Sequence, residues 1–269
     1  MKKIIYLLMS LSLVAFASCS DDDKDSPSSE NGENGSSQSA VSVFKSGTQD
    51  GHDYVDLGLT SGTKWATANV GASKPQDYGN YYAWGETAPK SDYNWSTYKY
   101  GSASDQLTKY CSNSSYGKDG FTDSKTTLDL SDDAAYVNWG GKWRMPTYDQ
   151  QRELRNECYW VWTDSYNNSN VAGYIVYKAK NSSDRGKKIH GGETPSSSYK
   201  LSDAHIFLPA AGNRSGGDLC SAGSDGDYCS SSLNTDYPYG AWGGYFGSDN
   251  VYRDDCNRCF GQSVRAVCK

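Results

Sequence analysis

The stretch WGGKWRMPTYDQQREL, residues 139–154, predicts where a helix begins and what precedes it. Thr147 is suited to be the N-cap residue, and Gln150 stands three residues later, which is the spacing of a capping box. Apolar residues then recur at positions i, i+4 and i+7, which predicts one apolar stripe along the helix: Leu154, Cys158 and Val161.

The residues before this helix are typical of a structural scaffold. Trp143 and Met145 flank the helix entrance and are expected to be buried, with Arg144 between them as a buried or half-buried hydrogen-bonding anchor. A second short helix is predicted at DDAAYVNW, residues 132–139, because its acidic start suits the helix dipole.

Outside these helices the apolar runs are short and alternate with turn residues. They predict strands at HDYVDLGL (52–59), TKWATANV (63–70), YYAWGE (81–86), GYIVYKAK (173–180), HIFLPAAG (205–212), AWGGYF (241–246) and QSVRAV (262–267). We therefore expect an α+β fold with few short helices, small antiparallel sheets and much irregular loop.

The amino-terminal residues predict export. Lys2 and Lys3 precede an apolar run at 4–17 that is too short for a permanent membrane span, so residues 1–18 are expected to be a signal peptide. The sequence FASC, which ends at Cys19, resembles the lipobox of bacterial lipoproteins. This resemblance implies that Cys19 becomes the lipidated N-terminus after cleavage. An ordinary signal peptide that happens to contain a cysteine is the alternative.

Residues 19–47 are expected to be a flexible acidic tether, because SPSSENGENGSSQS offers no apolar side chain to bury. The acidic run directly after Cys19 resembles the surface-export signal of Bacteroidetes lipoproteins. It implies a protein of the outer membrane that faces the cell exterior; a merely soluble spacer is the alternative. Residues 48–269 are long enough for one sizeable core and are expected to form a single domain.

The charge balance excludes some partners. Loss of Lys2 and Lys3 with the signal peptide leaves 24 basic and 32 acidic side chains, a net charge of −8. Such a chain is not expected to bind nucleic acid or to carry a polybasic membrane patch. The expected membrane contact is the lipid anchor alone.

Four ordered motifs carry a family resemblance: VDLGLTSGTKWATANVGASKPQDYGNYYAWGET (55–87), WGGKWRMPT (139–147), IFLPAAG (206–212) and GQSVRAV (261–267). The chain resembles the Fibrobacter succinogenes major paralogous domain family, which is abundant in Bacteroidetes lipoproteins. The resemblance implies a C-type-lectin-like fold, which the formylglycine-generating enzymes share. Such motifs hold a scaffold and are not evidence of catalysis.

The composition of residues 213–262 predicts a binding surface. Thirty-two of these fifty residues are Gly, Ser, Asp, Tyr or Asn, four are Cys, and none is Lys, Glu, Met or His. Tyrosine supplies stiff contact area and the small polar residues supply adaptable hydrogen bonds, as in antibody paratopes. The segment also resembles the variable region of proteins diversified by retroelements. An ordinary secreted-protein surface is the alternative. The expected ligand-binding residues are Tyr239, Trp242, Tyr245, Tyr252, Asp254, Asp255, Asn257 and Phe260.

The cysteines leave several interpretations open. Seven remain after Cys19, and Cys111 with Cys158 is the tentative disulfide, since the compartment permits one. The Cys256/Cys259 pair would need a second ligand pair to be a zinc site, and the flanking Asp254-Asp255 disfavour a redox role because they raise thiol pKa. Chance or diversified cysteines explain the odd number better; an analogue of the cysteine pair in formylglycine-generating enzymes is the further alternative. Asp-rich turns near residues 225–227 and 249–250 lack calcium-loop spacing, so no metal or other cofactor is expected.

Three functions follow from these patterns. The first is a non-enzymatic surface lipoprotein that binds an unknown extracellular ligand, whether a protein, a glycan or a phage. The second is an enzyme of the formylglycine-generating type that uses the carboxyl-terminal cysteine pair. The third is a structural surface protein without a small ligand. The pairs His52-Asp53 and Asp203-Ala204-His205 are read as strand-edge polar residues and not as acid–base pairs.

Overall fold

The computed structural model describes residues 44–269, which contain two α-helices and fifteen short β-strands. The described residues belong to one compact unit. The predicted signal peptide, Cys19 and all but the last residues of the predicted tether lie outside the described residues. Small sheets, two helices and long connections make the domain α+β and loop-rich, as expected from the short apolar runs.

Three larger sheets and one small hairpin build the domain. The first sheet contains, in order, β1 (Gly47–Gln49), β2 (His52–Val55), β3 (Lys64–Ala66) and β15 (Val267–Cys268). The second contains β7 (Lys188–Ile189), β5 (Cys158–Thr163), β6 (Gly173–Lys178) and β8 (His205–Pro209). The third contains β13 (Asn250–Asn257), β12 (Gly240–Gly247), β11 (Gly226–Leu233), β14 (Gln262–Ser263) and β4 (Tyr81–Tyr82). The hairpin pairs β9 (Asn213–Ser215) with β10 (Asp218–Cys220).

The helix α2 (Tyr148–Glu157) begins as the capping box predicts. The Gln150 amide donates to the Thr147 hydroxyl at 3.3 Å, and the Thr147 amide donates to Gln150 Oε1 at 2.9 Å. The predicted stripe is wrong beyond Leu154, because the helix ends at Glu157 and the next six residues form strand β5. Aromatic and β-branched side chains favour that strand, and pairing with β6 along its full length overrides the helical spacing.

The segment before α2 is buried scaffold, as predicted. Trp143 and Met145 are buried, and the indole Nε1 of Trp143 donates to the Gln49 carbonyl at 2.8 Å. Arg144 is half-buried and donates to the carbonyls of Gly141 and Trp143. The short helix α1 (Ala134–Trp139) precedes this segment, capped by the side chain of the residue before it.

The carboxyl-terminal segment QSVRAV is not one regular strand. Residues Gln262–Ser263 pair with β11 and β4 in the third sheet, whereas Val267–Cys268 pair with β3 in the first. Every residue from 261 to 268 is buried, so no face alternates with solvent. The segment links two sheets, and this position explains why it contains few exposed polar residues.

The segment 213–262 is more regular than its composition indicates, because it forms five strands, β9 to β13. The three longest of them are eight residues each and pair antiparallel as β11–β12–β13. Gly226 permits a close approach here, since a Cβ at this position would lie 2.1 Å from the Phe246 ring. The Gly-rich composition therefore serves packing as well as turns.

Candidate functional site

The β12–β13 hairpin presents two faces of different character. Trp242 pairs with Asp255, and Tyr245 pairs with Tyr252, across the two strands. Side chains alternate along a strand and directly opposed residues share a face, so these two pairs lie on opposite faces. The face with Trp242 packs against α2, where the Trp242 and Tyr148 rings lie 5.7 Å apart. We call it the helix face and the other the outer face.

The eight predicted binding residues therefore do not form one surface. By strand register the helix face carries Trp242, Asp255 and Asn257, and the outer face carries Tyr245, Tyr252 and Asp254. The remaining two predicted residues, Tyr239 and Phe260, lie in loops that flank the strands. The Tyr239 and Tyr116 ring centroids are 5.5 Å apart, and Phe260 packs half-buried against the core. Composition indicated this hairpin as a binding surface, but a continuous strand sends its alternate residues to opposite sides.

The outer face is acidic and rich in tyrosine. The rings of Tyr245 and Tyr252 lie 4.8 Å apart, and Asp227 of β11 stands directly opposite Tyr245. Burial raises the pKa of Asp227 above the usual value, although the Asn213 amide donates to it at 3.1 Å. The carboxylates of Asp225 and Asp254 raise it further. This face would repel an anionic ligand.

The described part of the chain, residues 44–269, contains no group of three or more His, Cys, Asp and Glu side chains arranged for a metal ion. The side-chain oxygens of Asp249 and Asn250 form hydrogen bonds within the hairpin turn. Asp249 Oδ1 accepts from the side-chain amide of Asn250 at 2.7 Å, and Asn250 Oδ1 accepts from the backbone N–H of Gly247 at 3.0 Å.

The tentative disulfide between Cys111 and Cys158 is not formed, because both cysteines are free and buried. The Cys111 thiol contacts the Asn113 carbonyl at 3.1 Å. Cys158 begins strand β5 and belongs to a separate core cluster with Leu154.

The Cys256/Cys259 pair does not have the environment of reactive thiols. The Cys256 thiol contacts the side-chain amide of Gln262, and Cys259 lies in the core. Burial raises the pKa of Cys256 well above its ordinary value and that of Cys259 to about 11. Both thiols therefore stay protonated at neutral pH, whereas nucleophilic and redox chemistry needs the thiolate.

Neither histidine–aspartate pair is an acid–base pair. His205 is buried in β8, with the Tyr166 hydroxyl 2.9 Å from Nε2 and the Asp203 backbone carbonyl 2.8 Å from Nδ1. Burial lowers the pKa of His205 and keeps the ring neutral. His52 stacks on Trp139 at 3.9 Å, and burial lowers its pKa as well.

Helix α2 and the helix face together carry what we call the arginine–aromatic cluster, defined as Tyr148, Arg152 and Arg155 of α2 with Trp242 and Arg253 of the hairpin. The Arg253 guanidinium lies 4.4 Å from the Trp242 ring centroid and donates to the Tyr148 hydroxyl at 3.2 Å. Burial alone would raise the pKa of Tyr148, but hydrogen bonds from Arg253 and Arg155 outweigh it and lower that pKa. Arg253 and Arg155 therefore favour the ionised form of Tyr148, whereas Arg152 is paired with Asp149 at 3.1 Å.

A cavity of about 40 Å³ lies beneath this cluster. The helix α2 covers one side, the helix face of the third sheet forms the other, and strands β3, β5 and β8 close the end. Its apolar walls are Leu154, Trp160, Leu208, Tyr228 and Phe246. Three further residues, Trp65, Gln151 and Arg265, also line it.

The sequence interpretation missed most of this site. The sequence pattern assigns Tyr148 and Gln151 only to a capped helix and Arg265 only to a scaffold motif. One signal was present, since Arg265 stands between Val264 and Ala266 in a run that is otherwise apolar. A lone arginine in a buried run needs hydrogen-bond partners, so the sequence indicates Arg265 as a candidate functional residue.

No helix within residues 44–269 has the length and apolar character needed to cross a membrane. The comparisons with protein-family models, with curated proteins and with solved structures found no match to this chain.

Proposed function

We propose that the protein is a non-catalytic binding module, a surface lipoprotein that displays a C-type-lectin-like domain from a lipid anchor at Cys19. The domain binds an extracellular ligand through the helix face of the β12–β13 hairpin. The order of the four sequence motifs, the small antiparallel sheets and the WRMPT segment before α2 support the lectin-like fold.

The arginine–aromatic cluster is the observation that carries this proposal. Trp, Tyr and Arg dominate the binding energy of protein interfaces, because they combine large contact area with polar groups. In the cluster Arg253 lies over the Trp242 ring and bonds Tyr148, so the three side chains hold one another in place. A pre-ordered surface loses little side-chain entropy when a ligand binds.

The thiol environment supports binding over catalysis. The formylglycine-type alternative depends on Cys256 and Cys259, and burial raises the pKa of both. Formation of a reactive thiolate is therefore disfavoured at neutral pH.

Binding is tested with the mature chain on arrays of glycans, bacterial surface proteins and phage particles. A Trp242→Ala, Arg253→Ala double variant should lose about tenfold or more in affinity for whichever component binds, which is about 1.4 kcal/mol or more. Tyr237→Ala is the matched control, because Tyr237 is 51% exposed but lies outside the cluster. Loss of binding in the control with retention in the double variant would contradict the assignment of this face.

Anchoring is tested separately. Cys19→Ala should abolish metabolic labelling with a palmitate analogue and leave a precursor that retains residues 1–18. Protease treatment of intact cells then tests display, because a surface protein is cleaved and a periplasmic one is not. A processed, membrane-bound Cys19→Ala protein would contradict the lipoprotein assignment.

A further inference from the structure

The cavity beneath the arginine–aromatic cluster is apolar inside and cationic at its mouth. Five buried side chains form the inner walls and present almost only apolar atoms: Leu154, Trp160, Leu208, Tyr228 and Phe246. Arg152, Arg155 and Arg253 also line the cavity, but these side chains are exposed or half-buried and therefore lie on its solvent side. The cavity thus offers two different environments to one ligand.

Gly244 shows that the cavity contains open space. It pairs with Arg253 in the β12–β13 hairpin, so a side chain at this position would point from the sheet towards α2. A Cβ at Gly244 would meet only one heavy atom within 4 Å, Gln151 Oε1 at 4.0 Å. Because the cavity volume of about 40 Å³ is larger than the roughly 10–15 Å³ that one water molecule needs, it has room for a short apolar group.

Water is a poor occupant of this cavity. A buried water molecule needs about two to four polar partners, and the polar atoms of the lining have almost no surface that such a molecule could touch. Trp65 Nε1, Gln151 Oε1 and Arg265 Nη2 are all buried in this way. Burial of an apolar ligand group against these walls is therefore more favourable than hydration of the cavity.

The mouth contains two arginines without a carboxylate partner. Within residues 44–269, Arg152 pairs with Asp149 at 3.1 Å, whereas neither Arg155 nor Arg253 is in an ion pair. Arg253 donates to the Tyr148 hydroxyl at 3.2 Å, and Arg155 donates to the same hydroxyl. Two cations therefore meet at one neutral oxygen. A ligand oxyanion at this place would form charge-assisted hydrogen bonds with both guanidinium groups.

We propose that this site binds a carboxylate that carries a short branched apolar group, with the apolar group in the cavity and the carboxylate on Arg155 and Arg253. The planar carboxylate matches the fork of an arginine, and the small cavity excludes a long acyl chain. A free short-chain acid and the carboxyl terminus of a peptide that ends in valine both have this chemistry. The inference rests on the proposed binding role of the helix face and names the ligand class that it recognises.

The test is a titration of the full mature chain, followed through the backbone N–H signal of Gly244 in the NMR spectrum. The probes are acetate, isovalerate and neutral isovaleramide at constant ionic strength. We expect isovalerate to bind with a Kd on the order of millimolar. Acetate should bind about tenfold or more weakly than isovalerate, because it has no branched chain for the cavity. Isovaleramide should bind about tenfold or more weakly too, because it has no charge for the arginines.

N-acetylvaline identifies the source of the carboxylate. It has the carbon skeleton and the carboxylate of isovalerate, with a peptide-like acetamido group on the carbon next to the carboxylate. Tighter binding of N-acetylvaline than of isovalerate indicates a peptide carboxyl terminus, and weaker binding indicates a free short-chain acid. Both orders support the proposed chemistry.

Gly244→Ala tests the place of the apolar group, because the added methyl group enters the cavity without a clash. The affinity for isovalerate should fall about tenfold towards that of acetate, whereas the affinity for acetate and the melting temperature should stay unchanged. Gly217→Ala is the matched control, because its Cβ would meet only the Ser91 carbonyl, at 3.9 Å, next to a different hairpin.

Arg253→Gln tests the place of the carboxylate and should remove most of the preference for isovalerate over isovaleramide. Arg185→Gln is the matched control, since it removes the same charge from an exposed arginine that pairs with Glu157 outside the cluster. The inference is overturned if isovalerate binds no tighter than acetate or than isovaleramide on the parent chain, a comparison that needs no variant to fold. It is also overturned if Gly244→Ala binds isovalerate as Gly217→Ala does. A failure here leaves the array result on Trp242 and Arg253 untouched, so the two proposals fail separately.

Discussion

At the scale of single residues, buried charge is placed where several partners can share it. Asp132 is buried and accepts hydrogen bonds from the Tyr100 and Tyr110 hydroxyls at 2.5 and 2.7 Å. Lys109 and Lys99 contact the same carboxylate at 2.5 and 3.3 Å. The sequence indicated Asp132 as the acidic start of a helix, but the N-cap is the next residue, Asp133. Asp132 instead links an aromatic part of the core to two lysines.

Asp132 should make stability depend on acid pH. Burial opposes its ionisation, but hydrogen bonds from Lys109, Tyr100 and Tyr110 outweigh this and lower the folded-state pKa to about 2 from 3.8. The folded state therefore holds the carboxylate ionised more strongly than the unfolded chain does. The stabilisation, about 2 kcal/mol, is present above pH 3.8 and is lost as the pH falls towards 2. Urea unfolding of Asp132→Asn between pH 5 and pH 2 should show a flatter pH dependence than the parent chain; an identical slope would contradict the prediction.

Trp143 is expected to be a stability residue and not a binding residue. Its ring is completely buried, lies 5.1 Å from the Trp139 ring and donates to the Gln49 carbonyl. Trp143→Ala should lower the free energy of unfolding by about 3–5 kcal/mol, as large aromatic truncations in cores do. Tyr237→Ala, at an exposed side chain, should change it by about 0.5 kcal/mol or less. A Trp143→Ala chain that keeps its melting temperature but loses ligand would reverse the assigned roles.

At the scale of elements, the hairpin β12–β13 combines an exposed edge strand with a buried neighbour. Strand β13 is at the end of the sheet, and Tyr252, Arg253 and Asp254 are exposed, whereas β12 lies between β11 and β13. Substitutions of the outward-facing side chains can therefore leave the backbone pairing of β12 with β13 unchanged. Its stability depends on the backbone ladder and on the buried segment that follows it.

Substitutions on the two sides of this boundary should differ sharply. Tyr252→Ser with Asp254→Ser should change the melting temperature little, because each exposed change costs about 0.5 kcal/mol or less. Val264→Asp should be severe, because Val264 is completely buried and an unpaired charge would be placed in the core. Asp255 and Cys256 are left unchanged in this test because both are half-buried. Equal destabilisation of the two variants would mean that the outer face of β13 is part of the core.

At the scale of the molecule, the domain is held together by packing and not by cross-links. Three clusters of buried residues form its interior, and the strand that ends the chain, β15, pairs with β3 near its beginning. All seven cysteines of the described residues are free, and five of them are buried. Stability should therefore not depend on the redox state of the surroundings.

Reducing agent should leave the melting temperature of the mature protein unchanged. Alkylation after denaturation without reductant should modify seven cysteines in residues 44–269, which peptide mass spectrometry counts directly. Alkylation before denaturation should be slow at Cys158 and Cys229, where burial raises the thiol pKa well above the ordinary value. A drop in melting temperature with reductant, together with fewer than seven modified cysteines, would show that a disulfide forms.

The sequence by itself determined the features that depend on residues three or four positions apart and on the burial of large apolar side chains. The capping box of α2, the burial of Trp143 and Met145 and the α+β class follow from local hydrogen bonds, side-chain size and the spacing of apolar runs. The location of a binding hairpin near the carboxyl terminus also came from composition, and it stays a prediction.

Only the tertiary structure decided where α2 ends, how QSVRAV divides between two sheets, and which side chains of β12 and β13 share a face. Each of these depends on pairing with another strand: Cys158–Thr163 with the next strand β6, Val267 with the distant Trp65, and Trp242 with Asp255 in the following strand of the hairpin. The cavity depends on it most, since Trp65, Gln151 and Arg265 come from three distant segments. Local spacing holds no information about such contacts, because chain folding and not sequence distance brings these side chains together.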